Sequence, residues 1–167
     1  MPRSFDVSVE SPASVEQVHG AFSNEDYWLA RFVAFGTSTT LESLTVDSDG
    51  TVTVSTTQDL RRDGLPRLVA RFYPGDLKIL STETWQPIGD RQVRGEVSIA
   101  AAGAPGSGCG EALLIPMGER SQLSFNGTVR FTVPLVGGKI ESYLGGQLTE
   151  QIQEIQRFTT AWITEHA

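Results

Sequence analysis

The chain has 167 residues, with 13 Lys+Arg against 20 Asp+Glu, two His and one Cys, for a formal net charge of -7. One cysteine excludes an internal disulfide, and one cysteine with two histidines cannot complete a closed Cys/His zinc site. A negative balance without a Lys/Arg run argues against a nucleic-acid binder. A hydrophobic fraction of 39% and a charged fraction of 20% are ordinary for a folded domain. The length predicts one domain, spanning residues 1–167. The first residues lack the apolar core of a signal peptide, and no apolar run approaches the roughly 18 residues a membrane span needs. The expectation is therefore a cytoplasmic protein with no integral membrane segment.

Phe5, Val7 and Val9 alternate with Ser4, Asp6, Ser8 and Glu10, which predicts a strand with one apolar face. Ser11-Pro12 reads as an N-cap with proline at the first helical position, followed by Val15, Val18 and Phe22 at helical spacing. Asn24 predicts the cap of a second short helix. Trp28, Phe32 and Phe35 mark one face of that helix, and Gly36 its end.

From Thr37 to Pro134 the period drops from about 3.6 to 2, with turn signals between runs rich in Thr, Val and Ser. Asp47-Ser48-Asp49-Gly50 separates two strands. Arg61-Arg62-Asp63-Gly64 and Pro74-Gly75-Asp76 are breaks, and Leu65 to Tyr73 fits either a short helix or a strand. Leu77 to Trp85 is a strand, and Val93, Gly95, Val97 and Ile99 mark another. Ala100 to Gly110 reads as a small-residue loop leading to Glu111–Met117. Leu123, Phe125, Val129, Phe131 and Val133 give the clearest half-buried strand.

Lys139 to Glu165 contains no proline. Ile140, Leu144, Leu148, Ile152, Ile155, Thr159 and Trp162 form a stripe at three- and four-residue steps, while Glu141, Glu150, Gln153, Glu154 and Arg157 take the other faces. This predicts a helix of about 25 residues, roughly 38 Å long. The Gly145-Gly146 pair inside it costs about 1 kcal/mol per residue, so a kink or a close approach to the backbone is expected there. The fold class is α+β: about six or seven antiparallel strands and two short helices after the first strand, with the long helix covering the sheet's apolar face.

Phe5-Asp6-Val7 before Ser11-Pro12, Leu65-Pro66, Trp85 at a strand end, and Val133-Pro134-Leu135-Val136-Gly137-Gly138-Lys139-Ile140-Glu141 before a helix ending near Trp162 resemble the START-like superfamily. This is the polyketide-cyclase-like, birch-pollen-allergen-like helix-grip fold. Within it, the chain looks most like an uncharacterised actinobacterial family. The superfamily includes lipid carriers, hormone receptors, aromatase/cyclases and hydrolases. The resemblance implies a cavity for an apolar or amphipathic small molecule between sheet and terminal helix, without specifying a reaction.

The residues themselves supply little catalytic chemistry. His19 is expected to face solvent, His166 to fray at the terminus, and Cys109 to be an inert thiol, since no cation neighbours it in sequence. Gly103-x-x-Gly106-x-Gly108-x-Gly110 lacks the helix and the Lys-Ser/Thr pair of a phosphate loop. Neither a metal nor a cofactor is implied. Glu83 is the exception. If Leu77, Ile79 and Trp85 face inward, Ser81 and Glu83 do too. A carboxylate in an apolar cavity can act as a general acid or base, unless an inward arginine pairs with it. Candidate ligand contacts are Gln58, Glu83, Trp85, Phe131, Tyr143, Leu144 and Leu148, with Thr56 beside Gln58. The leading expectation is a non-enzymatic binding or carrier protein for a hydrophobic small molecule. The alternatives are a cyclase- or hydrolase-type enzyme using Glu83, and a protein-interaction module.

Overall fold

The computed structural model describes residues 3–35, 38–60, 77–102, 106–132 and 137–167. The elements are β1 (Arg3–Ser11), α1 (Val15–Phe22), α2 (Glu25–Ala34), β2 (Ser38–Val46), β3 (Val52–Leu60), β4 (Leu77–Ile88), β5 (Gln92–Ala102), β6 (Gly106–Met117), β7 (Arg120–Phe131) and α3 (Gly137–Glu165). The seven strands form one antiparallel sheet in the order β1-β7-β6-β5-β4-β3-β2. Strands β2 to β7 pair in sequence order, and β1 adds beside β7. The two short helices carry the chain from β1 at one edge to β2 at the other. This is the helix-grip arrangement. Gly36, Gly103 and the segments 61–64, 65–73, 74–76 and 133–136 lie outside the described residues.

Ser11 does not cap α1. It is still paired with Ser121 in the sheet, and its hydroxyl oxygen accepts from Ala13 N–H. The cap is Ser14, which forms a reciprocal capping box with Gln17. Asn24 caps α2 by accepting from Asp26 N–H. The turn between β2 and β3 is closed by Gly50 N–H to Asp47 O and Thr51 N–H to Asp49 Oδ1, with Gly50 at φ +89°.

The glycine-rich stretch is sheet where the sequence suggested a loop. β5 runs to Ala102 and β6 starts at Gly106. Aromatic rings lie against Gly106 and Gly110. A Cβ on Gly106 would sit 2.8 Å from the Phe131 ring, and one on Gly110 would sit 2.4 Å from the Phe125 ring. Ring area replaces the side-chain packing a glycine lacks, which lets low-propensity residues hold a strand.

Register fixes the inner face. It carries odd positions on β1, β4, β5 and β7 and even positions on β3 and β6. At one end of the sheet these residues are buried: Val52, Val54, Trp85, Val93, Ala112, Leu114 and Leu123 join Val15, Val18, Phe22, Tyr27, Trp28, Trp162 and Ile163 in one core. α3 packs chiefly against β1 and β7, so Val129 and Phe131 are buried as well. Inner positions on β3 to β5 toward the opposite end, namely Thr56, Gln58, Ile79, Ser81, Glu83, Val97 and Ile99, are only half-buried.

α3 starts two residues earlier than its periodicity implies. A Cβ on Gly137 would lie 2.4 Å from Phe131 O, so only glycine permits this approach of the helix start to the end of β7. Glu141 is buried, contrary to its expected place on a polar face. Its Oε2 accepts from Phe131 N–H at 2.9 Å. β1 is described from Arg3, opposite Val129, and near that end of the sheet the Glu141 carboxylate accepts from the Phe131 main-chain donor. Gly145 is buried with the Phe5 ring 3.9 Å from where its Cβ would be, which is a close approach of the kind the sequence suggested. No helix among the described residues is long and apolar enough to cross a membrane.

Candidate functional site

The inner surface of β3 to β5 toward this end is half-buried; the space over it, on the sheet face where α3 packs against β1 and β7 and where Arg31 of α2 reaches Glu83, is termed the trough. Ile79 and Ile99 on the floor, and Leu144 and Leu148 on α3, are half-buried and stand outside the core cluster. The difference between the two ends has a simple cause. α1, α2 and the last turns of α3 supply large rings to one end. The middle of α3, around Leu144, Gly145 and Leu148, carries no ring among its buried or half-buried residues.

Glu83 lies on the inner face, opposite Val54 on β3 and Val97 on β5. Its Oε2 is 3.7 Å from Arg31 Nη2, and both side chains are 15% exposed. Its Oε1 accepts from Trp85 Nε1–H at 3.2 Å. The Arg31 guanidinium also lies over the Trp28 ring, 4.8 Å from its centroid, a favourable cation–π contact at a desolvated site. Both carboxylate oxygens therefore already face donors, the arrangement that weakens a general-acid role. The outcome combines two sequence readings: the carboxylate is inward and an arginine pairs with it.

Tyr27 extends this network to α3. The Thr159 hydroxyl donates to Ile155 O at 2.8 Å. Its single proton is thereby used, so at the 2.6 Å contact between the hydroxyls of Tyr27 and Thr159 the tyrosine is the donor. Tyr27 is fully buried. Burial pushes its pKa above the usual 10, opposed by the nearby Arg31 charge. Glu83, Arg31, Tyr27 and Thr159 thus link β4, α2 and α3 across the closed end of the trough.

The sequence candidates fall into three groups. Gln58 and Glu83 share the trough floor, half-buried, and Leu144 and Leu148 line its helical side. Trp85 and Phe131 are buried, Trp85 over Gly95 and Phe131 over Gly106, with only the Trp85 indole nitrogen turned to Glu83. Tyr143 is 44% exposed and lies off the trough, because α3 turns that position away from β1 and β7. His19 is half-buried, with Nε2 buried and without a partner. It sits against the β2–β3 turn, where its Cε1 is 3.6 Å from a Cβ placed on Gly50. His166 stacks on Trp162 at 4.1 Å instead of fraying. Cys109 is exposed. Sequence reasoning missed Arg31 and Tyr27. Arg31 follows Tyr27 by four residues and Trp28 by three, so it shares the face of the aromatic stripe, and that spacing was the available signal.

Comparison with known proteins agrees with this fold. A Mycobacterium tuberculosis protein, Uncharacterized protein Rv0481c, is 39% identical over 173 residues, covering 99% of both chains. The crystal structure of TTHA0849 from Thermus thermophilus superposes with a TM-score of 0.60 at 14% identity, covering 99% of both chains. A START superfamily protein from Mycobacterium smegmatis gives 0.57 at 11% identity, covering 98% of this chain and 99% of that one. The fold is that of the START-like superfamily, as the sequence resemblance implied, and the mycobacterial relative fits the actinobacterial family expected within it. A family model described as "Protein of unknown function (DUF2505)" matches residues 6–163, and the chain belongs to that family.

Proposed function

We propose that this protein binds and carries an apolar or amphipathic small molecule, lipid-like or polyketide-like, in the trough between the sheet and α3. The observation that carries the reading is the Arg31–Glu83 pair at the closed end of a half-buried floor that mixes Ile79, Val97 and Ile99 with Thr56, Gln58 and Ser81. The ligand's apolar body would lie along Ile79, Ile99, Leu144 and Leu148, with Gln58 and Ser81 beside it. Its polar end would meet the ion pair, which offers both a guanidinium donor and carboxylate lone pairs. Such a site suits a hydroxyl, carbonyl or carboxyl group, and the likeness in fold to a START superfamily protein and to the Zhui aromatase/cyclase supports a ligand of this class. Carriage is favoured over turnover because Glu83, the acid on the trough floor among the described residues, already accepts from Trp85 and faces Arg31.

The test is native mass spectrometry of gently purified protein, followed by solvent extraction and identification of the released molecule. A dansyl-labelled fatty acid serves as a probe for emptied protein. A stoichiometric adduct, or saturable probe binding displaced by the extract, is expected. Protein of apo mass that also fails to bind the probe overturns the proposal. Turnover of the bound molecule that Glu83→Gln abolishes would favour the enzymatic alternative instead.

A further inference from the structure

The floor of the trough has two unlike edges. Cross-strand register sets its inner positions in three rows, counted outward from the closed end. On β3, β4 and β5 in turn, the first row is Val54, Glu83 and Val97, the second Thr56, Ser81 and Ile99, and the third Gln58, Ile79 and Ala101. Val54 is buried, and the others are half-buried. On β5 every row ends in hydrocarbon. On β3 and β4 every row carries a polar group: the Glu83 carboxylate, then the Thr56 and Ser81 hydroxyls, then the Gln58 amide. α3 rests on β1 and β7, and β5 stands closer to them in the sheet than β3 does. The hydrocarbon edge is therefore the one toward α3.

At ~3.4 Å per residue along a strand and ~4.8 Å between strands, Ser81 lies about 7 Å from Glu83 and Gln58 about 14 Å from it. Among the described residues, the Thr56, Ser81 and Gln58 side chains make no hydrogen bond, and none of their polar atoms is both buried and unpartnered. They are open to a ligand. A plain alkyl chain laid along the floor would strip water from these groups and return no hydrogen bond, which opposes binding. A molecule oxygenated along one edge would pair with them. We infer that the trough takes a facially amphipathic ligand, with oxygens along one edge at about 7 and 14 Å from its polar end and hydrocarbon along the other. This rests on the proposed carriage in the trough and narrows its ligand to oxygenated chains or rings, against simple fatty acyl chains.

The test is displacement of the dansyl-labelled fatty acid by 1-octadecanol, 1,12-octadecanediol and 1,2-octadecanediol. The two hydroxyls of the 1,12-diol stand about 14 Å apart in the extended chain, given carbon–carbon bonds of ~1.5 Å. Wild type is compared with Gln58→Met, which keeps the length of the side chain and removes its amide, and with Gln58→Ala as a second variant. We expect the preference for the 1,12-diol over 1-octadecanol to fall at least about fivefold in both variants, as loss of one hydrogen bond at a desolvated site requires. The 1,2-diol, whose second hydroxyl stays at the ion pair, should show no such fall, whereas a merely structural role of Gln58 would move all three alcohols alike. An unchanged preference for the 1,12-diol, or an equal fall for the 1,2-diol, overturns this inference and leaves carriage standing. Failure of wild type to bind the labelled fatty acid and every alcohol overturns both.

Discussion

Removing the charged pair from the trough is the sharpest test of how the site is built. Glu83 and Arg31 face each other at 3.7 Å with side chains 15% exposed. At an effective dielectric of about 20, the Coulomb attraction is about 4.5 kcal/mol before desolvation is subtracted. Breaking such a pair leaves one charge buried without its partner and costs roughly 3 kcal/mol, whereas replacing both partners by apolar groups is close to neutral. Arg31→Met and Glu83→Leu should therefore each lose about 3 kcal/mol, or roughly 9 °C in Tm at about 3 °C per kcal/mol for a chain of this length. The double variant should return to within about 1 kcal/mol of wild type. Urea titration followed by tryptophan fluorescence suits the measurement, because Trp28 and Trp85 touch the two charges. If the double variant shows the sum of the two losses, the pair is not an isolated buried unit. If neither single variant is destabilised, the charges are solvated and the trough end is open. The double variant should also lose affinity for a polar-headed probe while remaining folded, which separates stability from recognition.

Other positions carry their own tests. Gly110→Val places side-chain atoms into the Phe125 ring and next to Asn126 O and should cost about 2 kcal/mol or more. Gly108→Ala meets only Thr128 O at 3.5 Å and should lie within about 0.5 kcal/mol of wild type by the same urea titration. Glu141→Gln keeps an acceptor for Phe131 N–H and should fold with little loss, whereas Glu141→Leu removes that acceptor and should cost about 1–3 kcal/mol. The hydrogen bond from Arg91 lowers the Glu16 pKa from 4.5 to about 2. Its contribution is therefore fully present above pH 4.5 and lost as pH falls through about 2. Carboxyl NMR titration should place Glu16 near the lower value in wild type, and Arg91→Ala should return it to the ordinary carboxylate range. Tyr27 has the opposite sign: its raised pKa gives stability present below pH 10 that is lost as pH rises further. Ultraviolet titration should show one tyrosine ionising only as the protein unfolds.

The fold was legible because its signals are local or periodic. Asn24 and the Asp47–Gly50 turn announce their elements through nearby backbone groups, and alternation along Leu123, Phe125, Val129 and Phe131 gives the buried face of β7. The errors lie where a distant residue overrides local preference. Gly106 to Gly110 reads as loop because glycine packs poorly in a strand by itself, and only the rings of Phe125 and Phe131 supply the missing contact. Glu141 reads as a polar-face residue until the Phe131 N–H beside it is known.

The sequence by itself determined the element order and the inner or outer face of most strand positions, and tied the direction of Glu83 to that of Leu77, Ile79 and Trp85. These follow from the fixed periods of strand and helix and from capping chemistry within a few residues. Tertiary structure alone decided what Glu83 meets. Arg31 is 52 residues away in the chain and on a helix, and only the crossing of α2 over the sheet brings its guanidinium to the carboxylate. Tertiary structure also decided that the two ends of the inner face differ. α3 rests on β1 and β7, the rings of α1 and α2 crowd one end, and the inner positions of β3 to β5 toward the other end stay half-buried. Contacts of that kind depend on the relative placement of whole elements, which no short-range period encodes.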